Sequence, residues 1–257
     1  MPLGDAAILS VAPSMSVANA LPVLRGISGV TSAEPNRVYS VSRTPNDPLF
    51  ASQYHLDRIK AADGWEFETG ASSLTTVAVI DTGIEGTHPD LAPKLAGLTQ
   101  QNCVGASCVS EVGGVATAAC QHGTQVAGLA AADTNTGLQL QVAGVSWGSK
   151  LLSMRVFDPG ACFDSCSDES GPNSCSASDM QIANALIYLR TKQNDGDHGH
   201  IVANLSLGCL PGGTCLNCPA VIQDEITAAL NAGIVVVAAA GNDGPGDNTV
   251  NTPGKCA

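Results

Sequence analysis

Basic residues are scarce in this chain. Lysine and arginine number 11 against 23 aspartates and glutamates, which gives a net charge of −12 and a pI near 4.5. A surface so short of cations cannot neutralise a phosphate backbone, so no nucleic-acid partner is expected. Long apolar runs are missing as well: none reaches the roughly 18 to 20 uncharged residues that a membrane-spanning helix needs. The stretch from Ala6 to Leu24 is fairly apolar but is interrupted by Pro13 and Pro22, and no lysine or arginine precedes Arg25; a secretory leader is therefore expected outside it. Internal repeats and low-complexity tracts are not evident. Disorder is excluded too, because 44% of the 257 residues are hydrophobic and only 13% are charged, enough for one sizeable core plus a short extension.

Cysteine, by contrast, is plentiful. Ten cysteines stand in Gly/Ser/Asn-rich surroundings, which points to disulfides formed in an oxidising compartment, and the acidic balance fits a protein working outside the cell. Short spacings nominate Cys103 with Cys108, Cys162 with Cys166 or Cys175, and Cys209 with Cys215 or Cys218. Zinc is the rival explanation for Cys215-Leu216-Asn217-Cys218, but no second C-x-x-C accompanies it. Cys256 is expected to have its partner in a segment past Ala257.

Apolar runs alternate with helical patterns along the chain. Strand-like runs cover Thr76 to Ile80, Leu151 to Phe157, Ile201 to Leu207 and Ile234 to Ala239, their nearly continuous hydrophobicity predicting parallel strands buried on both faces. Helical spacing joins Ile182, Leu186 and Leu189, and again Val221, Ile226 and Leu230, with Gly233 placed to end that helix. A third helix is predicted from His122 to Ala132. The alternation specifies a doubly wound, mostly parallel α/β sheet.

Three polar residues sit where such a sheet puts its chemistry. Asp81 closes the run Thr75-Thr76-Val77-Ala78-Val79-Ile80-Asp81 and is followed by Thr82-Gly83; His122 opens His122-Gly123-Thr124; Asn242 ends Val235-Val236-Val237-Ala238-Ala239-Ala240-Gly241-Asn242. Asp81 and Asn242 lie just past the carboxyl ends of strands, where open α/β sheets bind ligands. A carboxylate accepting from one imidazole nitrogen frees the other to act as a base, and an amide donor suits the negative charge that develops on a carbonyl oxygen during acyl transfer. Taken singly, each has a plainer reading: Asp-Thr-Gly makes a turn, His-Gly-Thr starts a helix, and Asn242-Asp243-Gly244 is a turn composition. Their order and their combination with Ser206-Leu207-Gly208 favour the chemical one.

Three other patterns compete. Gly144-Val145-Ser146-Trp147-Gly148 matches the nucleophile elbow of an esterase with His198 or His200 as base, although the residues after Ser146 read as strand where that motif needs a helix. Gly213-Thr214-Cys215 imitates a nucleophile motif but precedes Asn242 in a cysteine-rich loop. Asp195-Gly196-Asp197-His198-Gly199-His200 has the composition of a metal site without the spacing of one, and reads as a solvated loop.

Asp81-Thr82-Gly83-Ile84 with His88-Pro89-Asp90-Leu91, then His122-Gly123-Thr124, Ala203-Asn204-Leu205-Ser206-Leu207-Gly208 and Ala240-Gly241-Asn242, resemble the acid, base, cleft-strand and oxyanion segments of subtilisin-like serine proteases, over about Asn46 to the last residue. The resemblance implies a subtilisin-like fold, incomplete at its C-terminus because the family's Gly-Thr-Ser nucleophile segment does not follow Asn242. It implies Asp81 and His122 as catalytic residues, Asn242 as oxyanion donor, and Ser206, Leu207, Gly208 and Gly241 as substrate-binding groups. It further implies polypeptide substrates, no required cofactor, structural calcium with Asp90 as one candidate ligand, secretion, and a monomer. Residues 1–43 look like the end of an inhibitory propeptide and linker, and 44–257 like the first part of the catalytic domain. A peptide-binding module that holds the cleft without cutting is the alternative. Gln125 stands where many relatives carry a second histidine.

Overall fold

The structure is a computed structural model. It describes residues 7–36, 44–71, 74–112, 115–134, 137, 141–160, 162, 166, 175–209, 217–242, 244 and 250–256. The chain divides into two compact units, Met1–Ser42 and Arg43–Ala257. In the first, Ser16 caps helix α1 (Val17–Arg25) by accepting from the Asn19 N–H at 3.2 Å. Arg25, in its last turn, donates Nε to the Ala33 carbonyl at 2.9 Å.

The second unit holds a six-stranded sheet in the order β3-β2-β4-β1-β5-β6. Its strands are β1 (Thr75–Asp81), β2 (Gln101–Asn102), β3 (Val109–Ser110), β4 (Lys150–Arg155), β5 (His200–Leu205) and β6 (Val235–Ala238). Every pairing is parallel except β2 with β3. Helices α2 (Tyr54–Arg58), α3 (Ala61–Trp65), α4 (Ala92–Leu95), α5 (His122–Ala131), α6 (Asp179–Lys192) and α7 (Ala220–Asn231) complete the unit. The three predicted helices and four predicted strands are present; β4 and β5 end two residues before their apolar runs and β6 one residue before, while β1 runs one residue further, to Asp81.

Side-chain alternation along β1 assigns the two faces of the sheet. Ala78 and Ile80 pack with Leu152, Met154, Ile201, Ala203 and Leu205 beneath Ile182, Leu186 and Leu189 of α6 and Ile222 and Ile226 of α7. Val77, Val79 and Leu151 point the other way, onto Ala127 and Ala131 of α5 and onto Leu91 and Leu95. Helix α6 keeps its register through a capping box, the Ser178 N–H donating to Gln181 Oε1 at 2.6 Å and the Gln181 N–H to Ser178 Oγ at 3.4 Å. Replacing Leu186 or Leu189, both fully buried, by alanine would cost about 2–5 kcal/mol in lost packing.

One expectation fails at β6. Val236 and Ala238 pack against the α6/α7 layer, but Val235 and Val237 are exposed, so this strand is not covered on both faces. An apolar run reports that a strand prefers burial; which neighbours cover it is decided by strand order, and among the described residues β6 is the outermost strand.

The disulfides correct three further expectations. Cys103–Cys108 and Cys162–Cys175 form as two of the short-range options allowed, but Cys166 bonds to Cys120, 46 positions away. Cys218 bonds to Cys256, 38 positions away, so it is neither the partner of Cys209 nor a zinc thiolate, and Cys256 has its partner within the chain. Spacing ranks loop closures by entropy, whereas the fold brings distant loops together. Cys215 and the Gly213-Thr214 pair lie outside the described residues.

Candidate active site

Strand order reverses at β1, which has β4 on one side and β5 on the other. The crevice at the carboxyl ends of these strands is the natural ligand position of such a sheet. Asp81 is the last residue of β1 and is fully buried. His122 is the first residue of α5. Thr82 binds the two elements together: its hydroxyl accepts from the Gly123 N–H at 2.9 Å and donates to the Cys120 carbonyl at 3.2 Å, while its carbonyl accepts from the Ala119 N–H at 2.6 Å. The glycines of both motifs are steric requirements. Gly83 has φ +92°, and a Cβ there would lie 2.1 Å from the Thr117 carbonyl oxygen; a Cβ on Gly123 would lie 2.3 Å from the Gly83 carbonyl oxygen.

That packing sets His122 Nδ1 2.8 Å from Asp81 Oδ1. The same oxygen accepts from the Thr82 N–H at 2.7 Å. An ionised carboxylate only accepts, so Nδ1 carries the proton in this pair and Nε2 bears the lone pair. The hydrogen bond to Asp81 raises the imidazole pKa; burial opposes this, and the carboxylate charge adds to it. The His122 side chain keeps 46% of its surface exposed while that of Asp81 keeps 1%, so the ring's free edge is reachable and its anchor is not.

Beside the pair lies an ion pair that no motif announced. Arg155, level with Asp81 on β4, donates Nε to Glu111 Oε1 at 2.8 Å and a terminal nitrogen to Oε2 at 3.3 Å, with both side chains 5% exposed. Two lone charges 44 positions apart carry no local pattern by which a sequence could announce them.

Ser206-Leu207-Gly208 leaves the end of β5 and Gly241-Asn242 follows β6, on adjacent strands. Continuing the β1/β5 register places Ser206 level with Asp81, and continuing the β5/β6 register places Gly208 level with Gly241. Ser206 Oγ accepts from Asn204 Nδ2 at 2.9 Å, Leu207 packs against the α6/α7 core, and Gly208, Gly241 and Asn242 are exposed. Asp243 is outside the described residues.

The competing patterns separate from this crevice. Ser146 occupies a turn before β4, its hydroxyl 2.6 Å from Ser149 Oγ and 3.4 Å from the Thr69 carbonyl, with no histidine among its partners; the esterase arrangement is not formed. His198 pairs instead with Asp195, Nδ1 to Oδ1 at 2.8 Å. Among the described residues, no metal-ligating cluster includes the 195–200 loop, and the one group of three, Cys120, Cys162 and Cys175, is already committed to disulfides.

Asp90 is buried, accepting from Gln141 Nε2 at 2.8 Å and from the Val142 N–H at 3.4 Å. Buried Asp47 accepts from the Thr134 hydroxyl. Two carboxylates thus hold the two ends of the 134–142 segment.

A buried acid at a strand end, holding a half-open imidazole at the switch point of a parallel sheet, is an arrangement in which the ring can act as a base. The sequence pattern of the Subtilase family, Peptidase_S8, matches residues 72–257, and the chain belongs to that family. It is 34% identical over 210 residues to "Thermitase" of Thermoactinomyces vulgaris, covering 78% of this chain and 59% of that protein. It is 33% identical over 258 residues to "Extracellular protease" of Xanthomonas campestris pv. campestris, covering 89% of this chain and 40% of that protein. The solved structure of "S41 Psychrophilic Protease" superposes with a TM-score of 0.51 at 28% identity, covering 72% of this chain and 51% of that one. The chain therefore spans about half the length of the relatives it matches. Among the described residues, no helix is long and apolar enough to cross a membrane.

Proposed function

We propose that this chain is the end of a propeptide, residues 1–43, followed by the first part of the catalytic domain of a secreted serine endopeptidase, residues 44–257, whose nucleophilic serine lies past Ala257. The observation that carries the reading is the Asp81–His122 bond across 41 positions, with the buried carboxylate behind the ring and Nε2 on the open side. His122 takes the serine proton through Nε2 as the oxygen bonds to the scissile carbonyl carbon. Asp81 orients the ring and stabilises the imidazolium, and the Asn242 amide receives the oxyanion. His122 then gives its proton to the leaving amine, and water repeats the sequence on the acyl-enzyme. The peptide runs beside Ser206, Leu207 and Gly208 as an added strand and passes Gly241.

The gene's continuation tests this. Protein extended through a Gly-Thr-Ser segment is expected to cleave casein and to lose that activity on His122→Ala, while the 257-residue chain alone cleaves nothing. A stop codon after Ala257 in the natural gene, with peptide still bound, would favour a non-cutting binding module instead. The disulfides and the extracellular name of one relative support secretion. Residues 1–43 are read as inhibitory: added in trans as a peptide, they should slow the extended enzyme. The catalytic domain is read as a monomer, which sedimentation checks. Catalysis needs no cofactor. Structural calcium is read with Asp90 as one candidate ligand, and a chelator that leaves the melting temperature unchanged would remove that reading.

A further inference from the structure

Ladder pairing between β5 and β6 ends with the Ala239 N–H donating to the Leu205 carbonyl at 3.0 Å. Beyond that point the two segments read as cleft walls continue side by side, and among the described residues Asn251 alone joins Cys209 to Ala240. Its backbone N–H donates to the Ala240 carbonyl at 2.7 Å, next to Gly241 and Asn242. Its side chain reaches the opposite wall, where Nδ2 donates to the Cys209 carbonyl at 3.0 Å and Oδ1 accepts from the Cys209 N–H at 3.2 Å. One amide thus answers both backbone groups of a residue, as a paired strand would. Oδ1 also accepts from the Thr252 N–H at 2.9 Å, which fixes the rotamer.

The seam is closely packed. Gly241 has φ +97°, and a Cβ there would lie 2.8 Å from Asn251 Cβ; a Cβ on Gly254 would lie 2.5 Å from the Ala239 carbonyl oxygen. Cys256, bonded to Cys218 just before α7, fastens the far end of the segment. Asn251 therefore sits on a strap held at both ends.

We propose that Asn251 is a positioning residue that sets the separation of the two cleft walls, Ser206–Cys209 and Ala240–Asn242, so that an extended polypeptide meets both at once. The inference rests on the proteolytic reading of this cleft. Where the β5/β6 ladder has ended, Asn251 joins the two continuations, its backbone N–H bonded to Ala240 after β6 and its side chain making two bonds to the backbone of Cys209 after β5.

The test uses the 257-residue chain with a blocked hexapeptide, long enough to meet both walls, and an acetylated single-residue amide, which is not. In Asn251→Ala the Cys209 amide should exchange at least tenfold faster while β1 amides are unchanged. Hexapeptide affinity by calorimetry should fall about tenfold, the equivalent of two weakened hydrogen bonds. Affinity for the single-residue amide should change less than about twofold, an asymmetry that general loosening would not produce. Asn251→Asp keeps the volume and the Oδ1 acceptor but loses the donor to Cys209, so its losses should be intermediate; it carries the test if the alanine variant loses β1 protection. Unchanged exchange at Cys209 overturns the proposal, as does faster exchange with unchanged hexapeptide affinity. If the unsubstituted chain binds neither peptide while Cys209 exchange still accelerates in the variant, the clamp stands and the proteolytic reading fails.

Discussion

Two histidine–aspartate pairs in this molecule have the same geometry and opposite surroundings. His122 and Asp81 meet at 2.8 Å, with the ring 46% exposed and the carboxylate 1% exposed. His198 and Asp195 also meet at 2.8 Å, but there the ring is 6% exposed and the carboxylate 33%. The second pair is local: the Asp195 carboxylate also accepts from the backbone N–H groups of Asp197 and His198, and the His198 carbonyl accepts from the Thr76 hydroxyl at 2.7 Å. It ties a loop to the amino-terminal end of the sheet. Hydrogen-bond length therefore does not identify a catalytic dyad. What separates the two is which partner is buried, since a general base needs a reachable nitrogen and a sheltered anchor. His198 Nε2 is buried without a partner among the described residues and can reach nothing.

Substitution at the two acids gives the largest contrast. In the extended enzyme Asp81→Asn should lower kcat on the order of 10⁴-fold, because the wrong tautomer then faces the nucleophile. Asp195→Asn should leave kcat within about twofold, since it touches nothing at the reacting atoms. Asn242→Ala should lower kcat by about 10²–10³-fold, the size of effect known for such a donor in subtilisin. Equal losses at Asp81 and Asp195 would erase the distinction between the open and the sealed pair.

Stability responds in a different order. Glu111→Ala strands the buried Arg155 charge beside β1 and should cost about 3–5 kcal/mol in urea unfolding. Asp195→Ala removes bonds at a part-exposed loop and should cost about 1 kcal/mol.

The smallest effects are in pH, and their signs are opposite. The Asp81 hydrogen bond raises the His122 pKa in the fold, so this pair's contribution to stability is present below the unfolded-chain value and is lost as pH rises through the folded one. Burial pulls the Asp195 carboxyl up, but the His198 and Asp197 bonds together hold it below its ordinary value. Its contribution is therefore present above the unfolded-chain value and is lost as pH falls through the folded one. Histidine titration by NMR should show Asp81→Ala bringing the His122 pKa down. Cleavage by the extended enzyme should rise as pH climbs through that raised value, because the base works neutral.

Much of the frame was legible because its signals are local. The runs ending at Asp81 and before Asn242 are short, apolar and rich in β-branched residues, and His122-Gly123-Thr124 opens a helix whose second residue must be glycine to clear the Gly83 carbonyl. The rest depended on contacts between distant loops. Cys120–Cys166 and Cys218–Cys256, Arg155 with Glu111, and Asn251 with Cys209 each join residues whose separation carries no period to read. Val235 and Val237 misled for a related reason: their chemistry asked for cover, and their place on the outermost described strand left it out.

The order of residues alone determined that a parallel α/β sheet would form and that an acid and a base would stand at its strand and helix ends, because hydrophobic period and steric demands act within a few residues. Only the tertiary structure decided which histidine stays open and which is sealed, because exposure belongs to the packing around a side chain and two identical hydrogen bonds can lie on opposite sides of that divide.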